Sequence, residues 1–239
     1  SVMAVNNEIG SIQPIQAISD LITNEPTISF HVDAAQAIGK VPVSSYLTDR
    51  VDFATFSGHK FHAVRGVGFV YKKAGKKITP LLTGGGQEKD LRSTTENVAG
   101  IASMAKALRL VTDKEALSLP KIAKMKKVIF DELSKYEDIT LFSGEGDNFA
   151  PNILTFGIKS VRGEVVVHAF EEHQIYISTT SACSSKAGKP AGTLISMGVP
   201  SKLAQTAVRI SLDDDNGMGQ VEQFLTIFKQ VYAKTQKVR

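Results

Sequence analysis

The sequence predicts an α/β protein, a mostly parallel sheet with helices followed by a smaller α+β region. Three observations carry that expectation. The first 33 residues run strand, helix, strand, the order from which parallel sheets are built. Two short apolar runs, residues 27–33 and 51–57, stop abruptly in polar turns. After a long apolar helical stretch near residue 100, short strands and helices mix without any internal repeat.

Residues 1–5 form an apolar strand with no lead-in, so the chain is expected to begin in the middle of a domain. Asn6-Asn7-Glu8-Ile9-Gly10 is a turn at its end. Residues 14–23 place Ile15, Ile18, Leu21 and Ile22 at helical spacing, and Glu25-Pro26 closes that helix. The run at 27–33 ends in Asp33 and continues into Ala34-Ala35-Gln36, while the run at 51–57 ends in Ser57-Gly58-His59-Lys60. Residues 61–71 supply a turn and a further strand. Gly84-Gly85-Gly86 marks a hinge or a close backbone approach. Residues 98 to about 112 read as a connecting helix, and a separate basic amphipathic helix runs to about Tyr136. Strands are expected near 140–142, 152–156, 175–177 and 207–212, with helices at 163–173 and 220–234.

Composition narrows the function classes. With 239 residues the chain makes one domain or a domain and a half, and 42% apolar with 22% charged residues is ordinary for a globular protein. No apolar run approaches the roughly 18 to 20 residues a membrane helix needs, and no signal peptide is read at the start. The charge of +4 is scattered, and the lysines of 121–127 alternate with Ile122, Met125, Val128 and Ile129 as a solvated helix face, so no direct nucleic-acid partner is expected. One cysteine excludes an internal disulfide and leaves a reduced compartment, a core thiol or a reactive thiol. No Cys/His pairs stand at zinc spacing and no metal is expected.

The chemistry concentrates at the strand ends. A carboxylate closing one strand and a lysine just past the next suit pyridoxal phosphate, whose aldehyde needs an amine and whose ring nitrogen needs an anionic partner. His59, beside the lysine, can bond a phosphate. Cys183 sits in a stretch, residues 178–190, too polar to bury easily, which is the setting of an accessible nucleophile. Arg209 interrupts an apolar strand; such an arginine points to solvent or, turned toward a site, suits a carboxylate.

These stretches together resemble the cysteine desulfurases of the NifS/IscS type, fold-type I enzymes of the class V aminotransferase group. The resemblance rests on Asn6–Gly10, His31-Val32-Asp33-Ala34-Ala35-Gln36, Ser57–Lys60, Arg92-Ser93-Thr94-Thr95-Glu96-Asn97, Ser181-Ala182-Cys183-Ser184 and Val208–Leu212. It covers nearly all of the chain, which lacks the family's N-terminal third. It implies that residues 1–112 are the C-terminal part of the pyridoxal-phosphate-binding large domain and 113–239 a small domain carrying the cysteine. It also implies that Asn7, Asp33, Gln36, Ser57, His59, Lys60 and Thr95 bind the cofactor, Thr95 reaching the phosphate of the neighbouring subunit of a homodimer. Asn7 and Arg209 are then the substrate-binding residues. Lys60 is expected to anchor the cofactor and shuttle the α-proton, with His59 beside it and Cys183 as the sulfur nucleophile. Two departures stand out: Ala63-Val64-Arg65-Gly66 replaces Gly-Pro-Lys-Gly, and Thr94, a β-branched residue that resists positive φ, replaces a glycine, so that loop is expected to be altered.

The activity so implied converts L-cysteine to L-alanine and leaves a persulfide on Cys183 for an iron–sulfur scaffold or a tRNA or thio-cofactor enzyme, in the cytoplasm. Two alternatives remain: another class V reaction, such as selenocysteine lysis or transamination, and a non-catalytic interaction fragment. The relatives take their main phosphate cradle from a segment preceding Ser1, so the 239-residue chain by itself is expected to bind the cofactor weakly and to be inactive.

Overall fold

The computed structural model describes residues 1–180 and 192–236. The chain divides into two compact units, one of Ser1–Ala4 with Gln13–Glu115 and one of Val5–Ile12 with Ala116–Arg239.

The first unit is an α/β layer. Its strands β1 (Val2–Met3), β2 (His31–Asp33), β3 (Phe53–Ser57) and β4 (Gly68–Lys72) lie in that order in one sheet, and helix α1 (Ile15–Leu21) connects β1 to β2. The first three strands are parallel and β4 turns back antiparallel to β3. Alternation along the strands buries Val32, Ala54 and Phe56 on one face. Tyr46, Phe56, Phe69 and Phe61 form an aromatic chain behind them, with Phe56 and Phe69 stacked at 4.3 Å. Burial, helped by Glu115, pushes the Tyr46 hydroxyl up to about 12.

A buried polar staple ties the loop after α1 to the start of β3. Asp52 accepts from the Phe30 amide, from Arg50 Nη1 and from Lys76 Nζ, each at 2.9 Å. Burial alone would raise its carboxyl, but these donors together hold it below the usual carboxylate range. Arg50 in turn donates to the carbonyls of Ile22, Glu25 and Ile28.

Helix α2 (Val98–Leu133) is one continuous helix of 36 residues where the sequence suggested two. Pro120 lies inside it. A proline has no N–H to offer the carbonyl four residues back, here that of Ala116, and Ala116 is the residue at which the chain passes from the first unit to the second.

The second unit carries an antiparallel sheet in the order β5 (Ile139–Leu141), β6 (Ile153–Ile158), β8 (Ala207–Ser211) and β7 (Ser178–Thr179). The strand expected at 175–177 lies a little further on, as β7, where pairing with β8 decides its position. Helices α3 (Gly163–Glu171) and α6 (Met218–Gln236) and the last turns of α2 cover one face. Their apolar spacing accounts for that, since Ile122, Met125, Ile129 and Leu133 on α2 and Val221, Phe224, Phe228 and Val231 on α6 meet Leu154, Phe156, Val208 and Ile210. The other face of β6 is buried too. There Ile9 packs in a second small core with Leu194, in the short helix α4 (Gly192–Ser196), Ala204, which closes the short helix α5 (Ser201–Ala204), and Ala207, which opens β8.

Within this unit Lys126 is buried, donating to the Ala150 carbonyl at 2.9 Å and lying 5.7 Å over the Phe149 ring. Burial brings its amine down to about 8, against a smaller opposing pull from Glu145. Since the folded state holds this value below the ordinary 10.5, unfolding takes up a proton between about pH 8 and pH 10.5, and stability rises with pH across that window. The expected gain is about 3 kcal/mol at most. Urea titrations at about pH 7.5 and about pH 9.5 check it, and Lys126→Met is expected to flatten the slope.

Candidate functional site

The β2/β3 register builds the centre of the site in the first unit. Asp33 pairs with Thr55, so Ser57 stands one strand over and two residues on, a Cα separation of roughly 8 Å from standard sheet spacing. Both strands run the same way, so Asp33 and the turn after Ser57 emerge at the same carboxyl edge. Asp33 is exposed, with its carboxylate accepting from the Ala35 amide at 3.0 Å. That bond opens the turn 35–40, on which Gln36 is half-buried.

Beyond Ser57 the chain makes a 3-10 turn, Gly58–Phe61, which presents His59 exposed and Lys60 half-buried between two buried residues. Gly58 is required there, because a Cβ would stand 2.8 Å from the Val67 carbonyl to which its own amide bonds. Phe61, packed against Phe69, pins the far end. Sequence reasoning passed over Phe61; an aromatic directly after a candidate lysine was the available signal. The turn leaves through His62 with φ 71 and Gly66 with φ 84, so the Ala63-Val64-Arg65-Gly66 version still makes a tight reversal into β4.

Thr95 is exposed in the loop before α2. Its neighbour Thr94 takes φ 111, the conformation a glycine would adopt, instead of avoiding it as its branched side chain suggested. Contacts with Gln87 Oε1, at 3.3 Å, and with Arg92 hold it there. Such a residue stores about 1 to 3 kcal/mol of strain. Thr94→Gly is therefore expected to raise the unfolding free energy by about 1 kcal/mol after the glycine's entropy cost, read from denaturant midpoints.

Asn7 and Arg209 belong to the second unit and meet there. Arg209 lies mid-strand on β8 between Val208 and Ile210, which face the aromatic core. Its fork turns to the other face, Nη1 donating to the Asn7 carbonyl at 2.7 Å and Nη2 to Ser178 Oγ at 3.2 Å. The turn bearing Asn7 is shaped by Asn6, whose side-chain oxygen accepts the amides of Glu8 and Ile9 at 2.8 and 3.0 Å. Asn6 and Glu8 were read only as turn residues, and nothing short of the distant contacts of their side chains would have singled them out. Cys183 lies outside the described residues.

The donor set at the sheet edge fits pyridoxal phosphate: a carboxylate for the ring nitrogen, a hydroxyl and an imidazole for the phosphate, and a primary amine for the aldehyde. Among the described helices none is long and apolar enough to cross a membrane.

Comparison with known proteins covers nearly all of the chain. The family described as aminotransferase class-V matches residues 1–224. A NifS/IcsS protein homolog from Lactobacillus delbrueckii subsp. bulgaricus is 46% identical over 238 residues, 100% of this chain and 62% of its own length. A cysteine desulfurase IscS from Dictyoglomus turgidum is 37% identical over 214 residues, 89% of this chain and 53% of its own. Among solved structures, a NifS-like protein superposes with a TM-score of 0.85 at 32% identity, covering 97% of this chain and 60% of that one. The NifS-like protein of Rickettsia africae gives 0.84 at 30% identity over 97% and 61%. The chain thus spans 53 to 62% of the length of these curated relatives while 89 to 100% of it is matched, and it belongs to the class-V aminotransferase family.

Proposed function

We propose that this chain forms part of a pyridoxal-phosphate-dependent cysteine desulfurase that converts L-cysteine to L-alanine and retains the sulfur on Cys183. The observation that carries the reading is the parallel β2/β3 register, which brings Asp33 and the Ser57–Lys60 turn to one strand edge. Relatives named as cysteine desulfurases support the choice of reaction within the family.

In this reading the first unit is the C-terminal part of the cofactor-binding domain and the second the small domain. Lys60 anchors the cofactor and then carries the α-proton. Asp33 faces the ring nitrogen and keeps it protonated, Gln36 contacts the ring oxygen, and Ser57, His59 and Thr95 take the phosphate. The bound cofactor supplies an electron sink beside the substrate α-carbon. Arg209, with Asn7, orients the substrate carboxylate. The Cys183 thiolate attacks the substrate sulfur: an S–S bond forms, the Cβ–S bond breaks with its electron pair left on Cβ, and protonation there completes alanine. The products are alanine and an enzyme persulfide, with no external oxidant or reductant. The persulfide passes to an acceptor protein, an iron–sulfur scaffold or a thiolation enzyme, and the enzyme works as a cytoplasmic homodimer.

The test is Cys183→Ser in the holoenzyme. The variant is expected to keep the cofactor absorbance and bind L-cysteine, while persulfide trapped by alkylation and read by mass spectrometry falls by at least about a hundredfold, since a hydroxyl is a far weaker nucleophile. Alanine formation at the parent rate in the serine variant would favour another class V reaction instead.

A further inference from the structure

We infer that Glu8 and Asn6 are positioning residues that hold the chain on the far side of Cys183 against the turn that carries Asn7. The inference rests on the desulfurase reading and extends it. Glu8 Oε2 accepts the backbone amide of Thr193 at 3.1 Å, and Asn6 Nδ2 donates to Thr193 Oγ1 at 3.2 Å, both across more than 180 residues of sequence. Thr193 lies in the first turn of α4, a helix of five residues. So short a helix does not sustain itself, and its first amides have no partners within the helix. A carboxylate brought from a distant turn supplies one of them as a charge-assisted bond.

The same turn also reaches the near side of Cys183. Asn7 receives Arg209, and Arg209 donates to Ser178. Ser178 and Thr193, which bracket the cysteine in sequence, are thereby fastened to three consecutive residues, Asn6, Asn7 and Glu8. The turn does not need the Glu8 carboxylate for its own shape. Thr155 Oγ1 holds the Glu8 carbonyl at 2.6 Å, Ser143 Oγ holds that of Ile9 at 2.7 Å, and Asn6 bonds the amides. The carboxylate is spent on Thr193. Fastening Ser178 and Thr193 to one turn fixes the two points between which the cysteine-bearing stretch of sequence is strung, and a fixed tether is what sets the effective concentration of a group it carries.

The variants are Glu8→Ala and Glu8→Gln, the second keeping an oxygen that can accept the Thr193 amide. In the holoenzyme Glu8→Ala is expected to slow persulfide formation on Cys183 by about 10- to 100-fold, the scale of a displaced reacting group, with KM for L-cysteine within about twofold of the parent. Glu8→Gln is expected to retain most of the rate. Amide hydrogen exchange at Thr193 is expected to quicken about tenfold or more in Glu8→Ala and little in Glu8→Gln, a readout that needs no desulfuration. Parent-like persulfide rates and parent-like exchange in Glu8→Ala would overturn the inference, as would equal losses in both variants accompanied by a raised KM. If the unvaried holoenzyme places no sulfur on Cys183, the desulfurase reading fails, while the exchange experiment still decides whether Glu8 holds Thr193.

Discussion

Replacing Lys60 by alanine is expected to abolish the absorbance of the lysine-bound cofactor and to cut alanine and persulfide formation by at least about a thousandfold, because one amine both anchors the cofactor and carries the α-proton. The structural ground is local. Gly58 and Phe61 are buried and fix the 3-10 turn from both sides, so the Lys60 backbone has little freedom to hand its task to a neighbour. His59 cannot substitute, since an imidazole forms no comparable bond with an aldehyde. Absorbance spectra of the alanine variant with and without added cofactor, together with alanine release, decide the matter. An unchanged spectrum would remove Lys60 from the site.

Phe228→Ala is expected to cost the second unit about 3 to 5 kcal/mol, a large share of the ~5 to 15 kcal/mol that keeps a domain folded. Phe228 is fully buried on α6, and its ring lies 5.2 Å from Tyr136, 5.8 Å from Tyr232, 6.2 Å from Phe156 and 6.3 Å from Phe224. Alanine would leave a cavity bordered by four other rings, none short enough to collapse into it without leaving its rotamer. Phe228→Leu keeps most of the volume and is expected to lose less than half as much. Denaturant titration followed by circular dichroism gives both values. A loss below about 1 kcal/mol for the alanine variant would mean that the cluster repacks freely.

Much of this architecture was legible because local pattern and tertiary position agree. The apolar run at 51–57 and its abrupt stop in a polar turn identified a strand leading to a lysine, and β3 leads into the turn that bears Lys60. The last helix was legible too: one is expected at 220–234, and α6 spans Met218–Gln236. Where sequence reasoning missed, distant partners decided the outcome. Pro120 argues for a break by its own chemistry, yet α2 runs through it. The strand β7 is placed by its pairing with β8 and not by the apolar run that precedes it. Thr94 obeys Gln87 and Arg92 at the expense of its own preference. Asn7 and Arg209 were each legible as candidates, but their mutual bond joins residues 202 apart in sequence and no spacing rule reaches that far.

That the segment Val5–Ile12 belongs with the second unit bears on how the protein is made. Its partners Ser143, Thr155, Thr193 and Arg209 leave the ribosome long after it does. Buried residues Asn6 and Ile9 must therefore stay without their final neighbours until β8 has been synthesised. Contacts of such long sequence separation form slowly, since loop closure must precede any gain from them. During that interval the second unit holds an incomplete core open to other chains, so its folding yield is expected to improve with chaperones that shield nascent segments.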